Sequence, residues 1–527
     1  MFGRMAPALV IGSGPNGLAA AIRLAEAGHD VLVLEAAPHP GGAVRTEELT
    51  LPGFHHDTFS AVYPAGAGSP VFARMPLAEH GLRWSHPEAC YAHPLEGGDG
   101  VLLYRDLERT VASLDAQHPG DGERWASFVS PYLREWDALR DTMLAGFAPI
   151  GPAVRLAAAL GPRDAVGMGR LLTDSMVTLG RRLVRGDGSR AWLYGSALHA
   201  DVSPTAPGGG LAAMYLNLLG HAVGWPSPEG GAGRVTDALV VYLRSLGGDV
   251  LCDAPVVRVL HDGRGVSGVE LADGGRIASR LVIGAVMPQA IDRMAGDGLP
   301  GWYRALVRRY RMGPATVKVD WALDGPIPWA HAPTRTAGVV HVAGGVDEFL
   351  GTVKTARHDV PDRPYLLLGQ QTIADPSRAP GGKHTAWAYT RATRRGVTWN
   401  APAVAAHAHR IEAQVERYAP GFRDRILARH VLGPHDLQAR NANLLGGDVG
   451  GGSYQRSQLL FRPIPSMNPY RTPLRGLYLG SAATFPGGAV HGVCGDAAAQ
   501  TALGDGFTAE GTRHRRTRAR RVNVTHS

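Results

Sequence analysis

Apolar and polar positions fall into blocks of different period along the chain. The first is the uninterrupted run Ala8-Leu9-Val10-Ile11, closed by Gly12-Ser13-Gly14-Pro15-Asn16-Gly17 and followed by Leu18-Ala19-Ala20-Ala21-Ile22. A short apolar run bounded by glycine predicts a strand buried on both faces. The small-residue run predicts a helix that stops at Gly28 before a second buried strand, Val31-Leu32-Val33-Leu34. Over residues 76–224 the period becomes helical, with helices predicted within 121–144 and 152–183 and, after a Gly/Pro-rich loop at 201–210, over 211–219. A glycine loop at 228–234 leads into an amphipathic helix over 235–246. Strand-like segments follow at 249–251, 254–260, 266–271 and 276–278, before the buried run 281–283. The Asp273-Gly274 pair between two of these segments predicts a small antiparallel layer. Strands at 315–323, 337–342, 365–372 and 385–390 and a helix at 401–418 predict an antiparallel sheet backed by helices.

The opening block also carries chemistry. A strand, a glycine turn and a helix N-terminus make a diphosphate cradle. In it Gly12 permits the turn, Gly14 lets the backbone approach the phosphates and Gly17 lets helix pack on strand. Glu35, at the end of the second strand, stands where a carboxylate accepts from ribose hydroxyls. The turn Pro38-His39-Pro40-Gly41-Gly42 brings backbone amides close to that cradle, and Arg45 supplies a fixed cation. A glycine run at 446–454 reads either as a loop held tightly against a cofactor or as a disordered link. The segment 476–503 then repeats strand, glycine loop and small-residue helix, through Gly480, Ser481, His491, Gly492 and Val493. A cofactor that touches both ends of the chain is large, which points to FAD rather than a lone nicotinamide nucleotide.

The expected fold class is α/β. A discontinuous Rossmann-like FAD-binding domain (5–75, 225–300 and 441–505) would combine with an α+β substrate domain, made of a mainly helical insertion at 76–224 and the antiparallel sheet at 301–440. Composition trims the possibilities. Cys90, Cys252 and Cys494 form no paired motif, which argues against a disulfide framework, a metal site or a redox dithiol. With no leader-like N-terminus and no apolar stretch of about 20 residues, a cytoplasmic protein, at most peripheral to a membrane, is expected. Of the net charge of +8, six units come from Arg513, Arg515, Arg516, Arg518, Arg520 and Arg521 in a tail at 506–527 read as solvated and disordered; no nucleic-acid module is evident. The apolar stripe near 154–179, flanked by Arg155, Arg163 and Arg170, could face either a core or a membrane interface.

Taken together, Gly12 to Gly17, Glu35, Gly41-Gly42 with Arg45-Thr46, the Gly230-Gly231 helix start and the closing segment from Gly480 to Gly495 resemble the flavin-dependent phytoene desaturase family of amine-oxidase-like flavoproteins. Within it the chain is similar to the phytoene-dehydrogenase-related branch that includes pyridine nucleotide-disulfide oxidoreductase domain-containing protein 2. The resemblance implies that Gly12, Ser13, Gly14 and Gly17 hold the pyrophosphate, that Glu35 holds the adenosine ribose, and that Gly41, Gly42 and Arg45 frame the middle of FAD. It also implies that the Val257 backbone meets the adenine, Gly480 and Ser481 face the phosphate and ribityl part, and Gly492 and Val493 approach the isoalloxazine. Many relatives carry an acid where this chain has Ser481.

The reaction so implied is hydride removal from a carbon-hydrogen bond of an apolar, polyene or isoprenoid-like substrate, with oxygen or a quinone as the electron acceptor. His491 is the first candidate for a proton-transfer residue, ahead of His55, His56, His341 and His384 with Asp57. An amine oxidase is the competing enzyme, with Trp321, Trp329, Trp387, Tyr389 and Trp399 as a candidate aromatic cage that core packing explains equally well. A flavin-binding isomerase or a non-catalytic interaction protein is the third alternative.

Overall fold

The computed structural model describes residues 6–392 and 397–508; the six tail arginines lie outside the described residues. Strand β1 (Ala8–Ile11), helix α1 (Pro15–Glu26) and strand β2 (Val31–Leu34) follow the opening pattern. β1 pairs in parallel with β2 on one side and with Val282–Gly284 on the other, and Asp249–Leu251 and Leu477–Leu479 complete a five-stranded sheet. Residues from three distant parts of the chain therefore build one nucleotide-type sheet. Ala8 and Val10 pack beneath α1 and the helices Gly233–Ser245 and Val493–Gly504. Leu9 and Ile11 face the other way, against an antiparallel layer of Val256–His261, Val266–Leu271 and Arg276–Ala278. The strand pair joined through Asp273-Gly274 turns with Gly274 at φ +86°, as the Asp-Gly pair requires.

The second sheet has seven strands, in the order Ile426–Leu432, Ala315–Leu323, His384–Ala392, Leu366–Gly369, Ala337–Val342, Ala89–Pro94 and Gly100–Tyr104. Its pairs are antiparallel except that Ala337–Val342 runs parallel to Ala89–Pro94. Region 76–224 is thus not only helical, because Ala89–Pro94 and Gly100–Tyr104 join this sheet. Both strands are buried along their whole length, which removes the alternation that would have marked them. One face of the sheet packs on the helix Ala401–Tyr418 through Val319, Trp321, Leu368 and Ala388. The other face, through Tyr91, Val339, Leu367 and Trp387, meets the helices of the insertion.

The predicted helix within 121–144 divides into Asp121–Arg134 and Trp136–Met143. That within 152–183 divides into α2 (Ile150–Leu171) and Met176–Leu183. α2 itself bends at Gly161, at φ +73°, where Pro162 removes a backbone donor.

Candidate functional site

The cradle forms where β1 ends. Gly12 turns at φ +94°, and a Cβ on Gly17 would lie 1.9 Å from the Gly12 carbonyl oxygen, so only glycine permits this approach of helix to strand. A Cβ on Gly14, by contrast, would meet nothing within 4 Å. This open side adjoins the start of α1, which has no side-chain cap and no acid in its first turn. Such an uncapped end presents backbone N–H groups and the positive end of the helix dipole to an anion. Glu35 is buried; its Oε2 accepts from Ser13 N at 2.8 Å and Ser13 Oγ at 2.5 Å, and its Oε1 accepts from Ala37 N at 2.9 Å. The acid therefore ties the end of β2 to the glycine turn. Gly41 N donates to Ser13 Oγ at 3.1 Å, and a Cβ on Gly42 would stand 3.1 Å from Gly14 Cα, which brings the second glycine turn onto the first.

Arg45 lies over the Phe59 ring at 5.4 Å and donates through Nη2 to the Arg440 carbonyl; among the described residues its buried Nε has no acceptor and the buried Asn16 Oδ1 no donor. The unpaired Arg45 N–H, together with an open glycine and a bare helix end, fits the diphosphate part of a dinucleotide. Val257 is 51% exposed at a register shift between the pairs Val256 with Leu271 and Arg258 with Glu270. The chain just before it is bonded to β2's end, Ala254 N donating to the Glu35 carbonyl at 2.8 Å.

The closing segment approaches from the other side. Helix α3 (Val493–Gly504) starts after Gly492, at φ +73°, and packs along α1 so closely that a Cβ on Gly495 would lie 1.7 Å from the Asn16 carbonyl oxygen. Asp496, on its first turn, pairs with Arg23 Nε at 2.8 Å and Arg74 Nη2 at 2.5 Å. Gly480 N donates to the Gly284 carbonyl, and the buried Ser481 Oγ accepts from Ala483 N at 3.3 Å. Ala489 and Val490 both adopt positive φ, a strain characteristic of functional segments.

His491 does not fit the proton-acceptor role expected of it. Its Nδ1 accepts from Val493 N at 3.1 Å, which caps α3, and burial pushes the imidazole down to about 4. The ring is therefore neutral at ordinary pH, with its basic nitrogen used on Val493 and hydrogen bonds with the Gly487 and Gly488 backbone only partly offsetting the effect of burial.

The remaining candidates scatter. His55 and His384 are partly exposed; His56 is buried, with Nε2 at 2.7 Å from Thr50 Oγ1 and burial holding it at about 3. Asp57 pairs with Arg378 and accepts from Ala232 N, while Lys318 donates to the Asp57 carbonyl at 3.0 Å and to Asp320. His341 stacks on Tyr91 at 4.4 Å with Nε2 3.0 Å from His199 Nδ1. The five rings of the candidate amine cage do not assemble. Trp321, Trp329 and Trp399 pack on the face toward Ala401–Tyr418, and only Trp387 and Tyr389, stacked at 5.6 Å, lie toward the insertion.

Three groups escaped sequence reasoning. Asp201 pairs with Arg391, whose guanidinium lies 4.9 Å from the Tyr389 ring centroid, and burial raises the Asp201 carboxyl to about 6. Arg462 is wholly buried, donates to the Gly451 carbonyl and Tyr310 Oη, both at 2.8 Å, and lies over the Tyr454 ring at 4.1 Å. Asp448 accepts from Gly313, Gly450 and Gly452 N–H groups. Arg462 and Asp448 fix the glycine loop, and Tyr454 Oη, accepting from Gly488 N at 2.6 Å, ties that loop to the closing segment. Lys318 and Asp320, two charges two residues apart in the otherwise apolar strand Ala315–Leu323, were the visible signal of the buried polar network.

A parallel nucleotide-type sheet with a discontinuous cradle, set beside an antiparallel sheet, defines a class of flavin oxidoreductases. The chain belongs to the flavin-containing amine oxidoreductase family, which matches residues 16–501, and it is a flavin-dependent oxidoreductase. It is 26% identical to mouse (Mus musculus) pyridine nucleotide-disulfide oxidoreductase domain-containing protein 2, over 95% of this chain and 94% of that one. It is 24% identical to the neurosporene-forming phytoene desaturase of Rhodobacter capsulatus, over 93% and 92% of the two chains. Among solved structures, an oxidoreductase from Methanosarcina mazei shares the fold at a TM-score of 0.62 and 18% identity, over 94% of this chain and 99% of that one.

Proposed function

We propose that the flavin is FAD and that the protein removes hydride from a carbon-hydrogen bond of an apolar, polyene or isoprenoid-like molecule, as a desaturase or dehydrogenase. When bound, FAD supplies the hydride acceptor. Gly12, Ser13, Gly14 and Gly17 hold its diphosphate, Glu35 the adenosine ribose and the Val257 backbone the adenine. Gly41, Gly42 and Arg45 frame its centre, Gly480 and Ser481 take the ribityl side, and Gly492 and Val493 present the N-terminus of α3 to the ring system. His491 is a positioning residue that fixes that helix end.

The observation that supports the substrate class is the apolar, aromatic character of the interior where the antiparallel sheet packs on the insertion. Tyr91, Leu367, Trp387 and Tyr389 line it, its histidines His199 and His341 are driven neutral by burial, and its carboxylate Asp201 is matched by Arg391. An interior of that kind is apolar and keeps its charges paired among the described residues, which suits an apolar chain better than an ammonium group. The desaturase named among the relatives supports the same reading. Oxygen or a quinone serves as the acceptor of the electrons, and the protein contacts a membrane peripherally.

Flavin extracted from the purified protein is expected to be FAD by mass, and incubation with a polyene under air is expected to yield a product two hydrogens lighter. Extracted FMN, or loss of ammonia from an amine in place of polyene turnover, overturns the proposal.

A further inference from the structure

Among the described residues, three lysine or arginine side chains are buried: Lys318, Arg378 and Arg462. Lys318 pairs with Asp320 at 2.5 Å and Arg378 with Asp57 at 2.7 Å. Arg462 pairs with no described carboxyl group. Its guanidinium donates to uncharged acceptors, through Nη2 to the Gly451 carbonyl, Tyr310 Oη and the Ala482 carbonyl at 2.8, 2.8 and 3.3 Å, and through Nη1 to the Ser453 carbonyl at 3.4 Å. The buried Nε has no acceptor among the described residues.

The groups around Arg462 do not cancel its charge. Burial raises the Tyr310 and Tyr454 phenols and the Cys494 thiol, which keeps all three neutral at ordinary pH. Asp448 turns its oxygens to backbone N–H groups, Oδ1 to Gly450 at 2.8 Å and Oδ2 to Gly313 at 2.5 Å and Gly452 at 2.9 Å, and Asp201 is engaged by Arg391. A guanidinium withdrawn from water without a carboxylate in contact is costly to bury, and its field reaches further than that of a surface charge because little solvent screens it.

The contacts place this charge against the closing segment. Ala482, whose carbonyl it meets, follows Ser481; Tyr454, whose ring centroid lies 4.1 Å from the guanidinium carbon, accepts from Gly488 N at 2.6 Å. Cys494, next to Val493, is among the groups that act on it. Hydride removal breaks a carbon-hydrogen bond of the substrate and delivers one proton and two electrons to the flavin, so one unit of negative charge arrives with them. A cation fixed in a water-poor interior stabilises such charge without having to reorganise. We propose that Arg462 is a positioning residue that acts through the closing segment to raise the reduction potential of the flavin, its uncompensated charge favouring the negative charge that comes with the hydride. The assignment rests on the reading that Gly480, Ser481, Gly492 and Val493 face the flavin.

The test is the midpoint potential of the flavin in the full-length holoprotein, read by chemical reduction against a reference dye with no substrate present. Arg462→Met keeps the length of the side chain and loses the charge; it is expected to lower the equilibrium constant for flavin reduction at least about tenfold, which for two electrons is a fall of about 30 mV. Arg462→Lys keeps the charge and loses the forked donors, and its constant is expected to stay within about twofold of wild type. Thermal unfolding is expected at lower temperature in both variants, since both lose the bonds to Gly451 and Ala482. A potential unchanged in Arg462→Met overturns the proposal, as does one that falls equally in Arg462→Lys, because the effect then follows the contacts and not the charge. The unaltered protein gives a second measurement, needed where Arg462→Met does not retain flavin: its potential is expected above that of free FAD in the same cell, and a value at or below free FAD overturns the proposal. Chemical reduction uses no polyene and the extracted cofactor is identified by mass, so failure of this assignment is distinguishable from failure of the substrate or cofactor reading.

Discussion

His491 shows how far a side chain can be read from its neighbours in sequence. Its glycine-rich surroundings pointed correctly to a segment folded against the cradle, but not to the Nδ1 hydrogen bond that spends its basic nitrogen on Val493 N–H. Replacement His491→Ala is expected to orphan that N–H and destabilise the protein by about 1 kcal/mol, whereas His491→Asn retains an acceptor and most of the stability. Neither variant is expected to remove a pH-dependent step between about pH 5 and 8, because the imidazole titrates at about 4. Comparing pH-rate profiles checks this, and an acid limb near neutrality that vanishes in His491→Asn would restore a proton-transfer role. Gly17 and Glu35 were legible from local spacing. Asp201 and Arg391 were not, because their pairing joins residues far apart in the chain.

At the level of elements, α1 and α3 form the joint on which the discontinuous cradle depends. Gly495 lets their backbones touch, and Asp496, 5% exposed, bonds to Arg23 and Arg74, which are 25% and 31% exposed. Asp496→Asn is expected to cost roughly 1–2 kcal/mol, less than a fully buried pair because the arginines remain hydrated. Urea unfolding and flavin retention measure it; wild-type stability and unchanged flavin affinity would contradict a structural role for the pair. The parallel strands were legible because uninterrupted apolar runs between glycines have few other readings. Ala89–Pro94 was not, since burial on both faces erases period 2, and neither was Ile426–Leu432, whose Arg429 and His430 resemble a solvated loop. The aromatic cage failed for a related reason. Strand pleat sends Trp387 and Tyr389 to one face, whereas Trp321 on the adjoining strand points to the other.

Across the whole molecule, burial governs the response to pH. His56 and His199 are held at about 3, and His93, His221, His407 and His491 at about 4, against an ordinary value of 6.5. These groups lend stability that is complete above 6.5 and is lost as pH falls toward their folded values. Asp201 and Asp320, raised by burial to about 6 from 3.8, act oppositely: their contribution is complete below 3.8 and lost as pH rises through about 6. Six histidines with larger shifts outweigh two aspartates, so Tm is expected to fall by at least several degrees between about pH 7 and 4.5. Scanning fluorimetry checks this, and a Tm that rises on acidification contradicts it.

The family, the two sheets and the cradle were legible in the sequence, while the packing of the antiparallel sheet on the insertion emerged only from the folded structure. The proposed substrate assignment is tested most directly by anaerobic titration of the holoprotein with a polyene and, separately, with primary and polyamines, following the flavin absorbance. Stoichiometric bleaching by the polyene and none by the amines is the expected result. Bleaching by amines alone, or by neither, would contradict the assignment.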